Sequence, residues 1–470
     1  MSKQASAPKL GENKMGTMPI GKLLVNMATP MIIAMLVQAF YNIVDSYFVS
    51  RISEDTAIKE SAIAAMSLSF AIQNILIGFA TGIGVGVNAL LSKSLGEGNQ
   101  ERANCTAGNG VILSLITTVL FILFGIFGTR GYFNLMSDTP LTVEFGTKYI
   151  SICCIFSLGI FVEILGERLL QSSGRTFYTL ITQGTGAIVN IIMDPILIFG
   201  LGPFPKMGIA GAAVATVLGQ WIAAILAVIF NLKFNTDLQF SLSILKPKKE
   251  ILVPVITVGI PTVIMNSIGS FMNMGLNRIL QGFTQYGEVP VNVFGIYFKL
   301  QSFFFMPLFG LNNATISIVA YNYGAQKPQR IVKTLKIVCI SALLFMLLGV
   351  AAFQTIPNVL LSIFDSSELF LSLGNRALRT ISLCFPFAAV CIALGASFQA
   401  LGNGIYSTIV SLCRQLVVLL PAAYLLSLSG RIEAVWWAFP IAEVMSLSAT
   451  TFFFIRIYKQ KLRPMLSANR

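Results

Sequence analysis

The sequence predicts an all-α membrane protein: twelve transmembrane helices in two pseudo-symmetric six-helix bundles around a central cleft. Three observations predict it. The 470 residues are 55% hydrophobic and only 11% charged, whereas a soluble domain carries about 25% charged residues. Mean hydropathy is +0.78, and apolar runs long enough to cross a bilayer, about 20 residues each, recur from end to end. The chain also repeats itself, as set out below, with an even number of spans per half. That arrangement relates the halves by an axis along the membrane normal.

The spans fall near 23–50, 61–92, 103–128, 141–170, 176–200, 207–231, 251–281, 291–322, 331–355, 370–400, 405–429 and 432–457. Residues 1–22 precede them as a cytoplasmic tail. That tail lacks the short apolar core and cleavage site of a secretory signal. The segments 23–231 and 251–457 form an N-lobe and a C-lobe, joined by the polar cytoplasmic linker 232–250 and followed by a basic tail, 458–470. Most of the 32 Lys and Arg fall in the tails and in loops on their side, Lys246, Lys248 and Lys249 among them. This bias predicts that both termini are cytoplasmic. It also accounts for the net charge of +13 without a nucleic-acid partner.

The repeat is exact in spacing. Gly96 and Arg102 recur as Gly324 and Arg330, 228 residues on, and Gln171, Gly174 and Tyr178 recur as Gln399, Gly402 and Tyr406 at the same offset. Thr29-Pro30 and Ile260-Pro261 open the first span of each half at nearly, though not quite, the same offset. Gly78, Gly82 and Gly86 in the second span read as a close helix-packing face rather than a nucleotide loop, because no strand precedes them. The seven cysteines lack paired spacing and read as small buried hydrophobes. There is no histidine, so any proton relay must use carboxylates, lysine, tyrosine or water.

Polar residues within the spans mark the functional region, because a carboxyl in hydrocarbon costs several kcal/mol and normally faces a bundle interior or a water-filled cavity. On the first span Gln38, Tyr41, Asn42 and Asp45 share one helical face. Glu163, Glu167 and Gln171 are four apart on the fourth. Two carboxyls one turn apart repel, so at least one is expected to hold a proton near neutral pH. Such a pair suits proton coupling or attraction of a cationic substrate. Gln183, Asn190 and Asp194 form a stripe on the fifth span, where Pro195 removes the backbone bond to the Ile191 carbonyl. Carboxylate, amide and carbonyl oxygens there suit a hard monovalent cation or a proton. The C-lobe differs: the positions 228 after Glu163, Glu167 and Asp194 are Cys391, Gly395 and Ala422, and its charges are Lys299, Arg414 and Glu443. Either Lys299 and Arg414 pair with Glu443, or they hold Glu167 across the cleft. With 36 Phe, 12 Tyr and 17 Met, stretches such as 301–309 could line an adaptable cavity for flat cations.

Several segments together carry a family resemblance: FYNIVDSYFVSRI at 40–52, ERLLQSSG at 167–174, IVNIIMDPILIFGLG at 188–202, GIAGAAVATVLGQ at 208–220, IVAYNYGA at 318–325, FQALGN at 398–403 and IAEV at 441–444. In these the chain resembles the multidrug and toxic compound extrusion (MATE) family, closest to its bacterial MepA-like branch, over nearly its whole length. The resemblance implies two six-helix lobes, a central cavity, and efflux driven by a sodium or proton gradient across a bacterial plasma membrane. It implies no cofactor besides that coupling ion, and no enzymatic chemistry. It matches Asp45, Asn190 and Asp194 to the N-lobe cation site, where Na⁺ would sit, with Thr216 as a fourth ligand. Glu167 matches the branch's acidic position on the fourth helix. No carboxylate lies in the seventh span, so a C-lobe cation site of the kind other branches have is not expected. The implied substrates are cationic, aromatic small molecules, and a monomer in lipid is expected.

Two other functions compete. A flippase or exporter of a lipid-linked or other anionic precursor would use the same architecture and a basic cavity, to which Lys299 and Arg414 would contribute. An intramembrane aspartyl protease would need two aspartates sharing a proton at close range, without the local signatures such sites carry.

Overall fold

The computed structural model describes residues 13–49, 55–241 and 244–468, apart from the side chains at 42, 43, 45–47, 49 and 56. No strand occurs among them. A short α1 (Lys14–Thr17) precedes α2 (Ile20–Val49) and the long α3 (Thr56–Gly96). The third span is α4 (Gln100–Leu123) and α5 (Thr129–Met136), joined through a π-turn. The fourth is the pair α6 (Pro140–Ile155) and α7 (Leu158–Ser172), bent by 48°. Then come α8 (Thr176–Phe199), ended by Gly200 in the left-handed region (φ 75°), and α9 (Ile209–Phe234).

The second half repeats the plan. It runs through α10 (Lys249–Gln281), α11 (Val289–Gly324), α12 (Pro328–Thr355) and the short α13 (Pro357–Ser362). Next is the bent pair α14 (Glu368–Ser382) and α15 (Phe385–Ala400), at 45°. The eleventh span is α16 (Gly404–Leu412) and α17 (Leu420–Ser427), with a π-helical segment at Cys413–Leu419 between them. The last comprises α18 (Ile432–Val435), α19 (Ala438–Ile457) and α20 (Arg463–Ala468). Among the described residues ten helices are long and apolar enough to cross a membrane, and counting each of the two bent pairs as one span brings the number to twelve. The bends fall at matching places in the two halves. Pro386 stands in the first turn of α15 and accounts for the second bend, but Leu158 occupies that position in the first half, so no proline announces the first.

The halves meet where backbones touch. A Cβ on Gly82 would sit 2.8 Å from the Gly259 carbonyl of α10, and one on Gly86 would sit 2.2 Å from that of Val255. The glycine face on α3 is therefore a helix–helix seam, as its spacing predicts. The repeat also makes a seam: a Cβ on Gly96 would lie 2.0 Å from the Tyr321 carbonyl, and one on Gly324 would lie 2.1 Å from the Lys93 carbonyl. Residues 93 and 321 share the same 228 offset, so α3 and α11 cross on the pseudo-two-fold axis, each glycine receiving the other helix's carbonyl. The offset that marks the repeat in sequence thus marks the axis in space.

Residues 13–18 stitch the same end of the molecule together. Asn13 Nδ2 donates to the Ser173 carbonyl (3.1 Å) and to Asp237 Oδ2 (3.0 Å) on the N-lobe side. On the C-lobe side Arg330 donates to the carbonyls of Met15 (3.0 Å) and Met18 (2.7 Å), and Lys327 Nζ to that of Gly16 (3.0 Å). Burial pushes the Asp237 carboxyl above the usual carboxylate range, against the weaker pull of Arg175 and Asn13. A carboxyl raised on folding stabilises below its unfolded value, and that contribution is lost as pH rises through the folded value. Asp237→Asn, which keeps an acceptor for Asn13, is therefore expected to melt slightly above the parent protein at about pH 8. The advantage should shrink toward about pH 4, and thermal melts at both pH values read it.

Candidate functional site

The N-lobe cavity is built where α8 and α9 come closest. A Cβ on Gly219 would stand 2.6 Å from the Gly186 carbonyl, so the two helices pack backbone to backbone. One turn further along α8, Asn190 faces Thr216 on α9. With the Asn190 amide turned so that both its ends are satisfied, its NH2 donates to Asp194 Oδ2 (3.3 Å) and its oxygen accepts from the Thr216 backbone N–H (3.2 Å). Thr216 Oγ1 in turn donates to the Ala212 carbonyl (3.0 Å). Asp194 is fully buried and Asn190 nearly so. The structure thus brings together Asn190, Asp194 and Thr216, three of the four residues matched to the cation site. The side chains of Asp45 and Asn42 lie outside the described residues.

The cavity, of about 130 Å³, is lined by α2, α3, α7, α8 and α9. Gln38 and Tyr41 enter from α2, Thr81 from α3, Glu163, Glu167 and Arg168 from α7, and Gln183, Asn190, Thr216 and Gln220 from α8 and α9. Glu167 is buried and fully engaged: Oε1 accepts from the Thr182 hydroxyl (2.8 Å) and Oε2 from Gln183 Nε2 (2.9 Å). Glu163, one turn earlier, has no hydrogen-bond partner among the described residues and faces the cavity. The guanidinium of Arg168 turns from Glu167 to Gln171 Oε1 (2.9 Å), as their 100° separation on the helix predicts. One carboxyl is therefore fixed by the scaffold and the other is presented to whatever enters.

Sequence reasoning missed three participants. Thr182 carries no motif, and only the folded packing of α8 on α7 aims it at Glu167. Arg168 contributes to the cavity wall although its charge is spent on Gln171. Asn88, deep in α3, accepts from the hydroxyls of Ser172 (2.8 Å), Ser317 (3.0 Å) and Ser92 (3.2 Å), tying α7 to α11 through one amide. An asparagine in an apolar run was the one available signal.

In the C-lobe, Arg414 Nη1 donates to Glu443 Oε1 at 2.8 Å. Lys299 does not join them: it is exposed and forms no ion pair among the described residues. Neither base reaches Glu167, whose oxygens are taken by Thr182 and Gln183. The expectation that Lys299 and Arg414 form one network with Glu443 therefore holds for Arg414 alone. No group of three or more His, Cys, Asp or Glu that could hold a metal ion occurs among the described residues.

Ten to twelve helical spans among the described residues, in two related bundles each with a cavity between its helices, are the architecture of a secondary transporter. The chain belongs to the MatE family, whose model matches residues 30–196 and 261–425, one block in each lobe. It is a multi-pass membrane protein of this multidrug efflux transporter family. It is 25% identical over 424 residues to the multidrug export protein MepA of Staphylococcus saprophyticus, covering 90% of this chain and 91% of that protein. It is 26% identical to an FAD transporter of Shewanella oneidensis, covering 91% and 92%. Its fold is similar to the outward-facing conformation of a multidrug resistance MATE transporter (TM-score 0.88, 23% identity, 97% of this chain and 98% of that one). It is likewise similar to a MOP superfamily transporter from Pyrococcus furiosus (TM-score 0.87, 24% identity, 96% and 98%).

Proposed function

We propose that this protein exports cationic amphiphilic compounds across the bacterial plasma membrane by antiport with Na⁺ or H⁺, through alternating access, with both termini cytoplasmic. The observation that carries the reading is the N-lobe cavity, where Glu163, with no hydrogen-bond partner among the described residues, faces the space beside Gln38 and Tyr41. Such a carboxyl there attracts a cation, and the aromatic and amide groups around it suit a flat one. Asn190 and Thr216 in the cavity wall, with Asp194 buried one turn beyond Asn190, take the coupling ion, with Asp45 as the fourth group. A gradient does work here only if the ion binds one state better than the other, since only differential affinity shifts an equilibrium. The protein acts as a monomer in lipid.

The name of the Shewanella relative favours a second reading, export of an anionic precursor. One experiment separates the readings and identifies the ion. Inside-out vesicles holding the purified transporter receive either an outward sodium gradient or an outward proton gradient, and uptake of ethidium and of FAD is followed. Ethidium moving under one gradient and FAD under neither is the expected result. FAD transport without ethidium transport would replace this reading with the second.

A further inference from the structure

The C-lobe holds a counterpart of the N-lobe cavity with its charge reversed. A space of about 90 Å³ lies between α10, α11, α15, α16 and α19. Its walls repeat the N-lobe positions at the 228 offset. Cys391 stands where Glu163 stands, Gly395 for Glu167, Ser411 for Gln183, and Phe309 for Thr81. The position of Gly186, where the N-lobe helices touch, is taken by Arg414. The pocket is thus the same place in the second bundle, stripped of its acids and given a guanidinium.

Arg414 stands at the start of an irregular stretch of the eleventh span. Pro421 has no N–H to give the Val417 carbonyl, and the preceding turns run as a π-helix over Cys413–Leu419. A π-turn inserts a residue and rotates the face that follows, a device common at functional sites. Arg414 keeps about a quarter of its side chain accessible, whereas Glu443 is nearly enclosed. A guanidinium offers five N–H donors in a planar fork matched to a carboxylate. Its single hydrogen bond among the described residues goes to Glu443 Oε1, which leaves its other donors unengaged among those residues, and Arg414 lines the cavity. Ser411, Phe309 and Met265 line it beside Arg414, with Asn312, Ser407 and Thr450 among the other polar residues of its wall.

We propose that this C-lobe cavity is a second ligand site, which takes the carboxylate group of a small organic anion on Arg414 in competition with Glu443. It is a site of opposite charge preference to the N-lobe cavity, and it stands on its own observations, whichever ion drives export.

Binding of anthracene-9-carboxylate to the purified full-length transporter in nanodiscs tests it, with anthracene-9-carboxamide as the uncharged match and ethidium as the N-lobe probe. Glu443→Gln removes the competitor and should tighten carboxylate binding severalfold. Arg414→Gln should weaken it about tenfold or more, the scale of one charge-assisted contact. Neither change should alter carboxamide or ethidium binding. Because removing one member of a buried pair can unfold a bundle, the neutral pair Arg414→Gln with Glu443→Gln is measured against Glu443→Gln alone, and it should lose the carboxylate. Weaker carboxylate binding in Glu443→Gln, or equal losses of acid and amide on losing Arg414, would make the pair a purely structural tie and overturn the site. Ethidium failing to bind the parent protein would count against the N-lobe reading only.

Discussion

Asp194→Asn is expected to abolish ethidium efflux, by about a hundredfold or more, while leaving the protein inserted and folded. Asp194 is fully buried on α8, one helical turn beyond Asn190, and the two are joined at 3.3 Å. The amide of asparagine preserves the size and the acceptor oxygen, so the bond from Asn190 survives. What disappears is the negative charge, and with it the means to bind a cation or to take up a proton. Moving a two-state transporter from about 1:99 to 99:1 requires a differential of about 5.5 kcal/mol, and a neutral oxygen set inside a bundle cannot supply it. Thermal stability should change little, because a buried charge has been replaced by a buried hydrogen-bonding group of the same shape. The measurement is ethidium efflux from cells expressing equal amounts of each variant, beside a melting curve of the purified protein. Undiminished efflux in Asp194→Asn would place the coupling site elsewhere.

Most of this arrangement was legible before any coordinates, for a physical reason. Polar groups are costly in hydrocarbon, so each one in an apolar run carries information. Gln38, Tyr41, Glu163, Glu167 and Asn190 could be picked out singly, and all five line one cavity, as does Thr216, which the family resemblance supplied. The repeat could be read as well, because identical spacing in two halves survives even where chemistry has diverged. Three things could not be read. The bend between α6 and α7 has no proline, and it depends on tertiary packing that includes Gly159 against Trp221. The hydrogen bond from Thr182 to Glu167 depends on which way α8 faces, and a threonine in a helix has no preferred partner of its own. The exposure of Lys299 could not be known either, since a long side chain can leave the bundle and carry its charge outward.

The second large effect concerns the crossing of α3 and α11. Gly96→Ala and Gly324→Ala should each open it, because each new Cβ would fall about 2 Å from a carbonyl of the facing helix. Ordinary van der Waals contact needs well over an ångström more, and a backbone cannot rotate away as a side chain does. Overpacking of this kind costs about 1–3 kcal/mol, partly offset by the roughly 1 kcal/mol that alanine gains over glycine in a helix. The residual penalty applies only to the conformation in which the lobes meet at this end, the end that residues 13–18 also bridge. Each variant should therefore populate states with that end open. Labelling of a cysteine placed at Ser94, buried in the parent, would rise in each, and ethidium export would fall because the cycle can no longer close there. The pseudo-symmetry makes the pair diagnostic. Both methyl groups push the same two backbones apart, so once one is present the second finds part of the room already made. The double variant should lose less thermal stability than the two single losses added together, a coupling of about 0.5–3 kcal/mol. Strict additivity would mean that the two glycines do not share one crossing, and that the axis read from the 228 offset does not pass between them.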